Sequence, residues 1–222
     1  MRGLLAMVLV SSSFAYAAET DQARRVQKAA EVLADVTGMP DKGIPHDLMA
    51  KAQCVVIVPD LKKAAFVVGA KYGKGIISCR KEDGRWSAPG SIRIEGGSVG
   101  FQIGASDADI VLLVMTKRGA EKLLGDQFTL GAEGEVAAGP VGRNAAAQTD
   151  ARMSAEILSW SRTHGVFAGV SLQGATLRQD TKDNEELYGK PLANREIVNG
   201  TVTPPAGAAK LLSELNGFGA QR

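Results

Sequence analysis

The sequence is short of the residues that most catalytic and metal-binding chemistry requires. It has two histidines, His46 and His164, and two cysteines, Cys54 and Cys79, in 222 residues. Neither histidine has a second ligand at helical spacing and no Cys-x-x-Cys occurs, so a dedicated metal site is not expected. Ser161 and His164 are close in sequence, but no G-x-S-x-G elbow surrounds a serine and nothing marks an acid partner. The glycine clusters match neither G-x-G-x-x-G nor the nucleoside triphosphate loop. Charge of one sign is lacking too: the formal net is +2, which points to no nucleic acid or other polyanion partner. A non-enzyme without cofactor is expected.

Long apolar runs are also missing. The opening "MRGLLAMVLVSSSFAYAAETD" holds one from Leu4 to Val10, well below the roughly 20 residues a membrane helix needs. With Arg2 before it and Ala15-Tyr16-Ala17 after it, the run reads as a signal peptide over residues 1–17. The expected product is a periplasmic or secreted domain of residues 18–222, soluble or peripheral on a membrane. The 26 basic residues less Arg2, against 24 acidic ones, leave it a net charge of +1. Aromatics make up 5% of the chain while glycines number 26, so its core must be built from aliphatic and small side chains.

What is present has period. Residues 21–37 place Ala23, Val26, Ala30 and Leu33 on one side and Arg24, Arg25 and Lys28 elsewhere, an amphipathic helix stopped by Gly38 and Pro40. A short helix is expected near Pro45. Residues 54–177 break into short apolar or alternating runs separated by glycine and charged turns. Helices are expected within them over 116–125 and 150–162, and a last one over about 205–216. These elements predict a single α+β domain: an antiparallel sheet or barrel-like core flanked by helices. Cys54 and Cys79 lie in strand-like runs, where they form either a disulfide or two buried thiols.

Glycine recurs on one face of several strands, as with Val67, Gly69, Lys71 and Gly73, which calls for a close neighbour of the same chain or for a ligand. "DTKDNEE" at 180–186 lacks the glycine and terminal glutamate of a calcium loop and reads as solvated. Lys62, Lys63, Lys71, Lys74, Arg143 and Arg162 sit at turns or strand ends, where a cation and free backbone N–H groups can meet a phosphate. In "AAGPVGR", small residues allow close packing and Pro140 restricts φ. Arg143 is there its only strong donor, either part of an anionic head-group site with Lys71 or Lys74, or tied to a carboxylate such as Asp150 or Glu133.

Five blocks then carry a resemblance: "YGKGIISCR", "GRWSAPGSIRIEGGSVGFQIGASDADIVLLVM", "FTLGAEGEVAAGPVGRNAAAQTD", "SWSRTHGVFAGVSLQGATL" and "NEELYG". Their order and separations resemble the SYLF lipid-binding family over residues of about 27–215. The resemblance implies non-catalytic recognition of an anionic phospholipid or membrane surface, with the helix at 21–37 as the membrane-contact element. The chain is most similar to exported, stand-alone bacterial members, for which actin is not an expected partner. The other reading is a structural or protein-interaction module of the envelope.

Overall fold

The centre of the molecule is built from two long apolar strands. β1 (Cys54–Ala65) and β4 (Gly104–Val114) pair antiparallel from Cys54↔Val114 to Ala65↔Gly104. Their runs "CVVIV" and "IVLLV" are buried on both faces, which is why they read as continuous apolar stretches rather than alternating ones. The computed structural model describes residues 20–39, 43–65, 68–99, 104–140, 155–163, 166–167 and 172–219. Among these, nine strands form one sheet. β2 (Val68–Cys79), β3 (Gly90–Val99), β5 (Gln127–Thr129), β6 (Val136–Ala138), β7 (Ile157–Thr163), β8 (Val166–Phe167) and β9 (Thr176–Gln179) complete it in the order β5-β9-β3-β2-β1-β4-β7-β6, with β8 on β7. Every pairing is antiparallel except β6 with β7.

The two faces of the sheet carry separate cores. Val55, Ile57, Ile76, Val111, Leu113, Leu158 and Trp160 pack beneath α1 (Asp21–Thr37), α2 (His46–Lys51) and α6 (Ala209–Gly217). Val56, Ile77, Ile92, Ile94, Ile110 and Leu112 face Phe128, Leu130, Leu172 and Leu177 across a second core, so the sheet curls around its own far end as a half-barrel. α3 (Lys117–Leu123), α4 (Thr181–Tyr188) and α5 (Asn194–Asn199) complete the flanks. The expected α+β class, with a barrel-like antiparallel core and helical flanks, is observed.

α1 forms where the periodicity predicts it. The Thr20 hydroxyl accepts from Ala23 N–H, and Val26, Ala29, Ala30, Leu33 and Val36 are buried against the sheet. The membrane-contact helix of the sequence reading is thus docked by its apolar face. The last helix begins as a 3-10 turn (Ala206–Ala208) and buries Leu211 and Leu215, while Ala209 is exposed.

Two expectations are corrected. Residues 157–163 form β7 rather than the end of a helix over 150–162. Their pattern has period two: Leu158 and Trp160 face the helical core and Ile157 faces the other, and pairing to β4 satisfies the backbone. Residues 180–186 are not a solvated loop. Asp180 accepts from Asp183 N–H as the N-cap of α4, and Gly189, at φ 70°, ends that helix in the left-handed conformation.

The glycine-bearing strand faces meet their own chain. A β-carbon on Gly75 would lie 2.1 Å from the Ile57 carbonyl oxygen, and one on Gly73 would lie 2.8 Å from the Val58 and Leu61 side chains. Cys54 and Cys79 sit opposite each other across β1 and β2 and form a disulfide. No helix among the described residues is long and apolar enough to cross a membrane.

Candidate functional site

The site starts from an irregularity in β1. Pairing with β2 is interrupted between Ile57 and Lys62, where Pro59 and Asp60 bulge from the ladder. Asp60 has φ 50°, and its N–H donates to Asp109 Oδ1 at 3.1 Å. The bulge turns Asp60 towards α1, where Lys28 donates to its carboxylate. Beside the bulge lie Tyr72, Gly73 and Lys74 of β2, and above it Asp21, Arg24, Arg25 and Lys28 from the first two turns of α1. Together with Lys62 they line an open groove of about 450 Å³. Tyr72 is the large hydrophobic side chain left most open among the described residues, at 48% exposure.

The groove's cations fall into two kinds. Lys74 Nζ lies 2.7 Å from Asp183 Oδ1 and 3.1 Å from Asp180 Oδ2, and Arg25 lies 3.1 Å from Asp183 Oδ2. Both carboxylates are 6% exposed. Burial by itself lowers the Lys74 pKa, but the hydrogen bonds to Asp183 and Asp180 outweigh it and the net shift is upward. Removing either cation would leave buried carboxylate charge short of a partner, so these two are structural.

Arg24, Lys28 and Lys62 instead pair with Asp21, Asp60 and Asp107 in water, their side chains 59%, 49% and 66% exposed. The Lys62 pKa is raised by its hydrogen bond to Asp107. Exposed pairs of this kind are screened by water and contribute little, so their cations can exchange partners for an incoming anion at little cost.

The fold therefore brings together Lys62, Lys74, Arg24, Arg25 and Lys28 from the residues singled out in the sequence. It separates the others. Lys63 and Lys71 face each other across β1 and β2, on the opposite side of the sheet from Lys62, Tyr72 and Lys74. Lys71 and Lys74 thus do not converge on one ligand. Arg162 of β7 lies between Asp35 at 2.8 Å and Asp109 at 3.2 Å. Its pKa, lowered by burial, is raised overall by hydrogen bonds to those two carboxylates. Arg143 lies outside the described residues.

Sequence reasoning missed Asp60, Asp180, Asp183 and Tyr72. The one available signal for the buried pair was Asp180 as an N-cap, three residues before Asp183 in a polar segment. "AAGPVGR" is accounted for up to Pro140: Trp160 Nε1 donates to the Pro140 carbonyl at 3.0 Å, and Gly139 lies flat on the Trp160 ring, where a β-carbon would come within 2.1 Å. "NEELYG" holds Asn184, a buried bracket that accepts from Ser91 N–H at 2.6 Å and donates to Asn194 Oδ1 and Leu192 O, both at 2.8 Å. No cluster of three or more metal-ligating side chains occurs among the described residues.

Residues 95–218 match the family described as Ysc84, Las17-binding protein actin regulator. SH3 domain-containing YSC84-like protein 1 of Homo sapiens is 37% identical over 198 residues, covering 86% of this chain and 58% of the relative. SH3 domain-containing protein PJ696.02 of Schizosaccharomyces pombe is 38% identical over 177 residues, 78% of this chain and 41% of the relative. LAS seventeen-binding protein 3 of Saccharomyces cerevisiae is 34% identical over 190 residues, 81% and 40%. The chain spans less than two thirds of the length of each. The names describe binding and regulation rather than catalysis. They also correct the expectation that set actin aside, because the matching family is itself described as an actin regulator.

Proposed function

This chain belongs to the Ysc84 (SYLF) family, and on that premise we propose that it is a non-catalytic binding domain whose basic groove takes an anionic phospholipid head group. The observation that carries this reading is the convergence of Arg24, Lys28 and Lys62, from α1 and β1, around one open groove, each paired with a solvent-exposed carboxylate. A phosphate entering the groove would replace those carboxylates as hydrogen-bond acceptor. Arg25 and Lys74, fixed by buried Asp183 and Asp180, would hold the walls in place. An exported location at a bacterial envelope belongs to the same reading, supported by a disulfide of the kind oxidising compartments maintain.

The test is co-sedimentation of residues 18–222 with vesicles of graded phosphatidylglycerol content. Binding is expected to rise with anionic lipid and fall with salt, since each Lys or Arg near the surface contributes about 1 kcal/mol that screening removes. Arg24→Glu, Lys28→Glu and Lys62→Glu combined should abolish it. Binding unchanged by that triple variant would refute the groove.

A second reading follows from the family's description: a protein partner of the actin-regulating machinery docks on this domain. Co-sedimentation with filamentous actin, in the absence of lipid, separates it from the first.

A further inference from the structure

The sheet face that carries Tyr72 and Lys74 continues past the groove onto β3 and β9. Ile92, Ile94 and Leu177 turn into the second core, so Arg93, Glu95 and Arg178, which alternate with them, point the other way. α4 crosses this face at its Ser91 end, where Asn184 accepts from Ser91 N–H and the Tyr188 hydroxyl donates to the Pro89 carbonyl. Towards Glu95 the face opens, and the side chains of Arg93, Glu95 and Arg178 are partly exposed.

The register sets like charges side by side here. Lys74 is opposite Arg93 and Arg93 is opposite Arg178, a row of three cations across β2, β3 and β9. Such rungs destabilise a sheet unless anions divide them. Asp180 and Asp183 serve Lys74. Glu95 serves the other two, accepting from Arg93 Nε at 2.7 Å and lying 3.6 Å from Arg178 Nε, and Asp180 stands 3.9 Å from one η nitrogen of Arg93. With Arg25 on Asp183, the four cations Arg25, Lys74, Arg93 and Arg178 share the three carboxylates Asp180, Asp183 and Glu95. One positive charge is in excess. The remaining η nitrogens of Arg93 and Arg178 meet no acceptor among the described residues.

We propose that Arg93 and Arg178 form a second anion subsite, which takes the phosphate of a neighbouring lipid while the groove holds the first. Glu95 engages both guanidinium groups from the ε side, and the η nitrogens form the forks that grip a phosphate by paired N–H bonds. The phosphate supplies the negative charge that the row lacks. The inference rests on the phospholipid-binding reading above and adds a second contact to it. β9 lies three strands from β1, about 14 Å at roughly 4.8 Å per strand, and Lys74 between them is occupied by Asp180 and Asp183. Groove and arginine pair therefore hold separate phosphates.

The experiment compares wild type, Arg178→Gln, Arg178→Lys and Arg85→Gln in residues 18–222, checked for folding by circular dichroism, on phosphatidylcholine vesicles with graded phosphatidylglycerol. Arg85, exposed and paired with Asp83 in the turn between β2 and β3, reports the loss of one charge elsewhere. Arg178→Gln should weaken vesicle binding about five- to tenfold and make it less steep in phosphatidylglycerol fraction, while Arg85→Gln stays within about twofold of wild type. Arg178→Lys keeps the charge without the fork and should recover only part of the loss. Arg178→Gln at wild-type affinity, an equal loss in Arg85→Gln, or full recovery in Arg178→Lys overturns the subsite while leaving the groove reading intact. Absence of wild-type vesicle binding overturns both. Calorimetric titration with inorganic phosphate separates the sources: binding that depends on Arg178 there, with vesicle binding indifferent to it, overturns the lipid in favour of a soluble phosphate. If Arg178→Gln does not fold, Arg178→Lys decides alone, and wild-type affinity in it overturns the subsite.

Discussion

Gly139 has no room for a side chain, because the Trp160 ring occupies the space where a β-carbon would be. Gly139→Ala must displace either the ring or the strand and is expected to cost about 1–3 kcal/mol, read from urea unfolding. Asp183 is a harder case to repair, since it accepts from both Lys74 and Arg25 while itself almost wholly buried. Asp183→Asn leaves Lys74 with Asp180 and Arg25 with Gln22. The expected loss is about 3 kcal/mol, the low end for breaking a buried pair because both cations keep some contact with water.

Lys63 should behave in the opposite way. Lys63→Met removes the like-charged rung with Lys71 and should raise stability by about 0.2–1 kcal/mol at neutral pH. Burial, and then the Lys71 charge, holds the Lys63 pKa in the folded protein below the ordinary lysine value of 10.5, so its penalty is present at lower pH and disappears as pH rises through the depressed value. The stability difference between wild type and Lys63→Met should therefore narrow towards pH 10.5, and a difference constant across pH 8–10.5 would count against repulsion as its source.

Among the elements, α1 is the one whose role changed most between sequence and structure. Its period was plain, and Val26, Ala30 and Leu33 do form the inward face. What the helix rests on was not visible, because each polar anchor comes from elsewhere in the chain: Arg25 to Asp183, Lys28 to Asp60, Asp35 to Arg162. A helix held by a buried apolar face and three ion pairs keeps its apolar residues in the core. The disulfide is an element-scale clamp as well, joining the first residue of β1 to the last of β2. Replacing Cys54 and Cys79 together by alanine should lower stability by about 2–4 kcal/mol, with the melting temperature as readout. β7 shows the limit of local pattern: "ILSWSRT" suits either period over so short a run, and pairing with β4 decided it.

At the scale of the whole molecule, the sequence by itself determined the class of fold, because hydrophobic period, turn residues and glycine placement are local properties that each segment carries alone. The continuous apolar runs of β1 and β4, the period and stop of α1 and the demand for close packing at the glycines were all legible in this way. Only the tertiary structure decided which cations share a surface. Lys74 and Asp183 are 109 residues apart in sequence, and neighbouring Lys62 and Lys63 point to opposite faces of one strand. Side-chain alternation sends adjacent charges apart, while chain reversal brings distant ones together. The groove and its two kinds of cation are therefore products of strand register, which no single segment encodes.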